Sequence, residues 1–311
     1  MTDRITAAAL HPDLRALRFA PHIPVRTGWQ RRALRAATRL LPAPVPPDGV
    51  ASRGVDLGEW VSLVVAVPNA PTPRGALLWV HGGGMVIGTA RQDLARCFHI
   101  ARNLGIVVVA VEYRLAPEHP FPVPLDDCHR AWTWLLERSD DLDVDTGRLA
   151  IGGQSAGGGL AAGLVQRLHD EGGVQPVAQW LFSPMLDDRT AADRSLDAVR
   201  HYIWDNRANR AGWSSYLGGA PGRSQAPSYA APARRDDLAG LPAAWIGTST
   251  IELFHAEDRD YAERLAAFGV PCVLDEVAGA PHGFESIATR TDLVKGYWRR
   301  ATSWLGGRLR A

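Results

Sequence analysis

The chain has 311 residues, 22% of them charged, with a formal net charge of +1. That length allows one or two domains with a sizeable core, and the balanced charge offers no basic field of the kind that recruits nucleic acid. No apolar run approaches the ~20 residues of a membrane span, so no stable membrane insertion is expected. Asp3 and Arg4 open an N-terminus with no apolar signal core behind them. Cys97, Cys128 and Cys272 are few, odd in number and widely spaced. They read as reduced, buried small hydrophobes in a cytosolic protein, not as a disulfide framework.

Two helical stretches fill the first forty residues. In the first, Leu10, Leu14 and Leu17 share a face; in the second, Trp29, Ala33, Ala36, Leu40 and Leu41 oppose Arg31, Arg32, Arg35 and Arg39. A basic amphipathic helix can lie on a membrane surface. The reading preferred here is a helix packed on its own protein with a solvated arginine face. Pro42, Pro44, Pro46 and Pro47 then form a stiff connector.

From about residue 55 strands alternate with helices. The predicted strands are 60–67, 76–80, 106–111, 148–152, 177–182, 243–247 and 271–276. Helices are predicted over 89–103, 124–137, 158–169, 257–268 and 291–305. This alternation predicts an α/β fold with a mostly parallel sheet covered on both faces. Residues 186–225 break it: Trp204, Trp213 and Tyr216 stand among polar residues, followed by Gly218-Gly-Ala-Pro-Gly222. This stretch reads as a helical excursion above the carboxyl edge of the sheet.

The most informative stretch is Gly153-Gln-Ser-Ala-Gly157, between an apolar strand and a helix. A serine on so tight a turn has a strained backbone, and glycines two positions either side avoid clashes with the neighbouring strand and helix. Ser155 is therefore the candidate nucleophile, poised where the helix dipole favours negative charge. An oxygen nucleophile needs a base, an orienter for that base and donors for the oxyanion. The candidate base is His282, in the turn-rich loop Gly279-Ala-Pro-His-Gly-Phe284 after the last strand, where open α/β sheets place their sites. The orienting acid should follow the penultimate strand. Glu252 is the first carboxylate there, and Asp258 is its main competitor. Glu257, Asp258 and Asp260 are otherwise read as the solvated face of the next helix.

For the oxyanion, His81-Gly-Gly-Gly84 follows the strand Ala76–Val80. Consecutive glycines let amide hydrogens turn toward a substrate oxygen, and the amide of Ala156 should complete the hole. His81 is expected to tie down this loop. His119 is expected to be structural, in a proline-rich connector stiffened by an Arg114–Glu118 pairing.

Together with Tyr113-Arg-Leu-Ala-Pro-Glu-His-Pro-Phe-Pro122, these segments make the chain, from about residue 55 onward, resemble the hormone-sensitive-lipase-like family of α/β-hydrolase esterases. Met185-Leu-Asp-Asp188 and Trp204-Asp-Asn206 resemble its cap-side motifs. The resemblance implies an eight-stranded sheet. It also implies a cap built from residues 1–50 and 186–225, with the hydrolase core in 51–185 and 226–311. Its oxyanion amides map to Gly83, Gly84 and Ala156, and its triad to Ser155, Glu252 and His282. The implied activity is hydrolysis of short to medium acyl esters without cofactor or metal. Met85, Trp204 and Trp213 would either line the pocket or form cap core. The expected partner is a small-molecule ester, and a homodimer is left open. Two departures stand out: Gln154 and Glu252 occupy positions where the family usually has aspartate.

Two other functions fit parts of the sequence less well. A receptor that keeps the fold and loses catalysis would typically lack the triad histidine, and His282 is present. Gly157-x-Gly159-x-x-Ala162 matches a loose dinucleotide pattern with Asp170 and Glu171 downstream, but it begins beyond the serine, inside the helix, where the turn glycine of a true fingerprint does not lie. No His-Glu-x-x-His or paired Cys-x-x-Cys points to a metal.

Overall fold

The computed structural model describes residues 3–40 and 42–310; Leu41, assigned above to an apolar helix face, lies outside them. Eight strands form the central sheet: β1 (Val50–Gly58), β2 (Val61–Pro68), β3 (Arg74–Val80), β4 (Val107–Glu112), β5 (Val144–Gln154), β6 (Ala178–Phe182), β7 (Ala243–Ser249) and β8 (Cys272–Val277). Their spatial order is β8-β7-β6-β5-β3-β4-β2-β1. Only β1 with β2, and β2 with β4, run antiparallel; the remaining neighbours are parallel. The fold is thus the mostly parallel α/β architecture expected.

Period-two alternation along β3 shows why both faces must be covered. Ala76, Leu78 and Val80 join one apolar cluster and Leu77 and Trp79 the other. On the first face lie α3 (Val123–Glu137), α4 (Ala156–Glu171) and α7 (His255–Ala267), through Leu135, Leu160, Leu164 and Leu265. On the second lie α2 (Leu94–Leu104) and α8 (Asp292–Arg308), through Phe98, Ala101, Tyr297 and Leu305. The seven predicted strands and five predicted helices of the core are all present, with small shifts at their ends.

The first N-terminal stretch is 3-10 helix (Ala7–Ala9, Pro12–Phe19), and Leu10, Leu14 and Leu17 are buried as expected. The second forms α1 (Gly28–Arg39), but rolled the other way. Arg31 and Arg35 point inward, donating to the carbonyls of Val25, Val86 and Ala116, while Trp29, Ala33, Ala36 and Leu40 face solvent. Inward carbonyls that lack a strand partner need donors, and long guanidinium side chains reach them where a methyl stripe cannot.

The 186–225 excursion contains α5 (Asp188–Ala192), a 3-10 turn (Arg194–Ala198) and α6 (Asn206–Leu217). It meets the N-terminal segment directly. Asp3–Arg4 pairs in parallel with Val199–Arg200, and the Ile23 amide donates to the Ile203 carbonyl at 3.0 Å. The expected Arg114–Glu118 pairing does not form. Arg114 grips the buried Asp127 on α3 through Nε and Nη2, and Glu118 pairs with Arg35 of α1. Asp127 offers both carboxylate oxygens to a planar fork, the geometry arginine fits best.

Candidate active site

Ser155 occupies the single step between β5 and α4. Its φ of +54° and ψ of −122° belong to neither strand nor helix, a strained conformation for any residue with a Cβ. Three hydrogen bonds hold it there: its amide donates to the Phe182 carbonyl at 2.7 Å, and its carbonyl accepts from Gly159 at 3.1 Å and Met185 at 3.0 Å. The flanking glycines are sterically required. A Cβ on Gly157 would stand 2.1 Å from the Val80 carbonyl oxygen of β3, and one on Gly153 would stand 2.3 Å from the Gly157 carbonyl oxygen. Gly157 itself lies in the first turn of α4, so the loose dinucleotide pattern is inside a helix.

At this elbow the three distant loops converge. His282 Nε2 is 2.9 Å from Ser155 Oγ, and His282 Nδ1 is 2.6 Å from Glu252 Oε2. Glu252 Oε1 accepts from the Thr248 hydroxyl at 2.8 Å and from the Ser249 amide at 3.2 Å, so both carboxylate oxygens are engaged. Burial alone would raise the Glu252 carboxyl; the hydrogen bond and charge of His282 outweigh it and hold the group below its ordinary range. Phe254 packs edge-on against the imidazole, with ring centres 5.1 Å apart. An acceptor nitrogen on a serine hydroxyl, backed by an anion on the opposite nitrogen, can take up the hydroxyl proton and bear the resulting charge.

Asp258 does not join this chain. It sits fully buried on α7, and neither carboxyl oxygen has a hydrogen-bond partner among the described residues. Burial, and after it the charge of Glu252, pushes its pKa well up. The expectation of a solvated acidic face on α7 therefore holds for Asp260 and fails for Glu257 and Asp258. The first turn of α7 tucks beneath the excursion, where Glu257 Oε1 accepts from the amides of Leu186 at 2.7 Å and Asp187 at 3.2 Å.

The glycine loop runs beside the serine. A Cβ on Gly82 would lie 3.3 Å from the Ser155 Cβ. Gly83 and Gly84 have φ of +129° and +60°, and the Gly83 carbonyl is turned back to accept from Val86 and Ile87. Neither glycine amide donates to a backbone or side-chain acceptor among the described residues. The Ala156 amide, at the first position of α4, has no intrahelical acceptor either. His81 fixes the loop: its Nδ1 lies 2.8 Å from the Gly82 carbonyl oxygen and its ring stacks on Tyr113 at 4.3 Å. Trp204 lies over the loop, since a Cβ on Gly84 would come within 2.3 Å of its indole edge. Met85, Trp204 and Trp213 are all buried in the larger core cluster. His119 stays in the connector, its amide donating to Leu115.

Several contributors escape inspection of the sequence. Gln154, one of the two departures, donates from Nε2 to Glu285 Oε1 at 2.5 Å and to Ser286 Oγ at 2.8 Å. It thereby links the serine elbow to the segment that follows His282. Glu285 is fully buried, and burial raises its carboxyl. An amide donor suits this buried carboxyl, raised by burial, better than an aspartate, which would set two buried carboxyls face to face. His201 is buried near the Glu252–His282 pair with Nδ1 unpartnered, and burial lowers its pKa. The three cysteines are unpaired, and burial drives their thiols up, Cys272 to about 12; none is a ready thiolate.

Residues 77–286 match the family model for the α/β hydrolase fold. Esterase LipI of Mycobacterium tuberculosis is 34% identical over 269 residues, which cover 82% of each chain. Among solved structures, a bacterial heroin esterase superposes with a TM-score of 0.87 at 34% identity, over 99% of this chain and 100% of that one. Esterase LipW from Mycobacterium marinum gives a TM-score of 0.85 at 32% identity, over 100% and 99% of the two chains. With the family model spanning about two thirds of the chain and relatives matching most of their own length, this protein belongs to the α/β-hydrolase family, in its hormone-sensitive-lipase-like branch of ester hydrolases.

Proposed function

We propose that the protein is a serine carboxylesterase that cleaves short to medium acyl esters through an acyl-enzyme on Ser155. The observation that carries this reading is the unbroken line from Ser155 Oγ through the His282 imidazole to Glu252, with contacts of 2.9 and 2.6 Å. Ser155 Oγ attacks the ester carbonyl carbon while His282 Nε2 takes its proton. The carbonyl oxygen becomes an anion held by the amides of Gly83, Gly84 and Ala156. His282 then protonates the departing alkoxide, and the C–O bond to the alcohol breaks. Water, deprotonated by the same nitrogen, attacks the acyl-enzyme and releases the acid, with Glu252 stabilising the imidazolium in each half.

Residues 1–50 and 186–225 act as the cap in this reading. The placement of Trp204 across Gly84 supports a preference for short acyl groups, because the indole limits the depth beside the oxyanion loop. The test pairs Ser155→Ala with labelling by diethyl p-nitrophenyl phosphate. Loss of p-nitrophenyl butyrate turnover with an unchanged circular dichroism spectrum, and a single adduct on Ser155 in the unsubstituted protein, are expected. Turnover that persists after stoichiometric labelling removes the serine mechanism.

A further inference from the structure

Helix α1 is oriented by its arginines. Arg35 donates to the Val86 carbonyl at 2.8 Å, to the Ala116 carbonyl at 2.6 Å and to Glu118 Oε2 at 2.9 Å. Arg31 donates to the Val25 carbonyl at 2.9 Å, and Leu34, on the same inward half of the helix, packs against the core. At 100° per residue the opposite side carries Trp29, Ala33, Ala36, Ala37 and Leu40. Every one of them is exposed, Trp29 to 68% and Leu40 to 84%. Rolling the helix to bury that stripe would break all four arginine hydrogen bonds, so the fold itself keeps the apolar side turned to solvent. Along one margin of the stripe stand Arg32 and Arg39, both exposed, with exposed Arg26 just ahead of the helix. The helix carries no acidic residue.

We propose that this face of α1 is a peripheral docking surface for an anionic lipid bilayer. The indole and the leucine enter the headgroup boundary and the arginine margin meets lipid phosphates, the arrangement of an interfacial amphipathic helix. Charge and area both favour this occupant over a second copy of the chain. A twelve-residue helix is ~18 Å long and its stripe about 10 Å wide, so it offers roughly 200 Å² against the ~800 Å² per partner of a stable interface. A two-fold pairing along the stripe would also bring like-charged arginine margins together. Among the described residues no helix is long and apolar enough to cross a membrane, so attachment is reversible and on the surface. The docking does not depend on the ester-hydrolase reading.

The test is co-sedimentation of the intact protein with vesicles of phosphatidylglycerol and phosphatidylcholine, against vesicles of phosphatidylcholine alone, at low and high salt. The protein is expected to pellet with the anionic vesicles at low salt and to be released by salt. The variants W29D/L40D and R32E/R39E should each bind about tenfold more weakly, while both keep their circular dichroism spectrum and urea midpoint. Failure of the unsubstituted protein to pellet with anionic vesicles overturns the proposal, and so does undiminished binding by W29D/L40D. A dimer in analytical ultracentrifugation that W29D/L40D converts to monomer overturns it as well, assigning the face to a second copy.

Discussion

Neutralising Glu252 while leaving its shape intact separates the roles of the two neighbouring acids. In Glu252→Gln the side chain keeps its volume, and its contacts with Thr248 and the Ser249 amide can be kept. Only the charge against His282 is lost. With the contact at 2.6 Å and charge centres about 4 Å apart, an effective dielectric near 20 gives about 4 kcal/mol of imidazolium stabilisation, or roughly 10³ in rate. The amide adds a second fault. If its NH₂ turns toward Nδ1, the imidazole proton is forced onto Nε2, which then faces Ser155 as a donor. Together these should lower kcat for p-nitrophenyl acetate by about 10⁴, the scale for neutralising a triad carboxylate, with KM little changed. Asp258→Asn should stay within about fivefold, because Asp258 lies outside the line from Ser155 through His282 to Glu252 and, where no new clash arises, its loss costs little function. If Asp258→Asn causes the large loss and Glu252→Gln stays within tenfold, the acid has been misassigned and the reasoning from contact distance fails.

Gly157→Ala should leave little folded protein, since the added methyl meets the Val80 carbonyl oxygen of a central strand at 2.1 Å and backbone on both sides cannot yield; a loss above about 3 kcal/mol in urea unfolding is expected, and a wild-type midpoint would contradict the elbow geometry. Asp258 and Glu285 have carboxyls raised by burial. Each therefore contributes stability that is fully present below the ordinary carboxylate pKa and is lost as pH rises through its raised native value. The urea midpoint should accordingly fall toward alkaline pH, and Asp258→Asn should flatten that fall; an unaltered slope would show that Asp258 ionises without cost.

The parallel core could be read from residues because its strands are short apolar runs and its helices are strongly periodic. Strand β1 was not foreseen. It is an edge strand whose residues from Ala51 onward are mostly exposed, so burial imposed little pattern on Ser52, Arg53 and Gly54. Its hairpin turns on Glu59 and Trp60, both at positive φ, where a two-residue turn more often announces itself with Asn-Gly. For α1 the period was read correctly and the roll was not, because amphipathicity identifies two faces without saying which one has carbonyls waiting for donors. The candidate roles of Ser155, His282 and the glycine loop could be read from local grammar. Glu285, Ser286 and Thr248 could not, since their roles depend on which turns meet at the carboxyl edge.

The placement of acids around the elbow explains how a glutamate can stand where aspartate is usual. Four buried carboxyl side chains on the loops and helices after β7 and β8, Glu252, Glu257, Asp258 and Glu285, have no arginine or lysine partner among the described residues, and four such charges together in so dry a site would be prohibitive. Only Glu252 meets a titratable base together with a hydroxyl and a backbone amide. Among the described residues Asp258 has no partner within hydrogen-bond distance, Glu285 Oε1 receives the Gln154 amide, and Glu257 receives loop amides; burial raises all three. Of the four, Glu252, in line with His282, is the one whose carboxyl is held below its ordinary range, so negative charge is favoured most there. Glutamate's extra methylene lets Oε2 reach the imidazole while Oε1 stays within reach of Thr248 at the end of β7, so the charge is anchored to the sheet and not to the loop alone. Shortening it to aspartate should give up one of those two contacts: either the hydrogen bond to Nδ1 lengthens, or Thr248 loses its acceptor. Turnover by Glu252→Asp should then fall between wild type and Glu252→Gln, because the charge survives while its position does not.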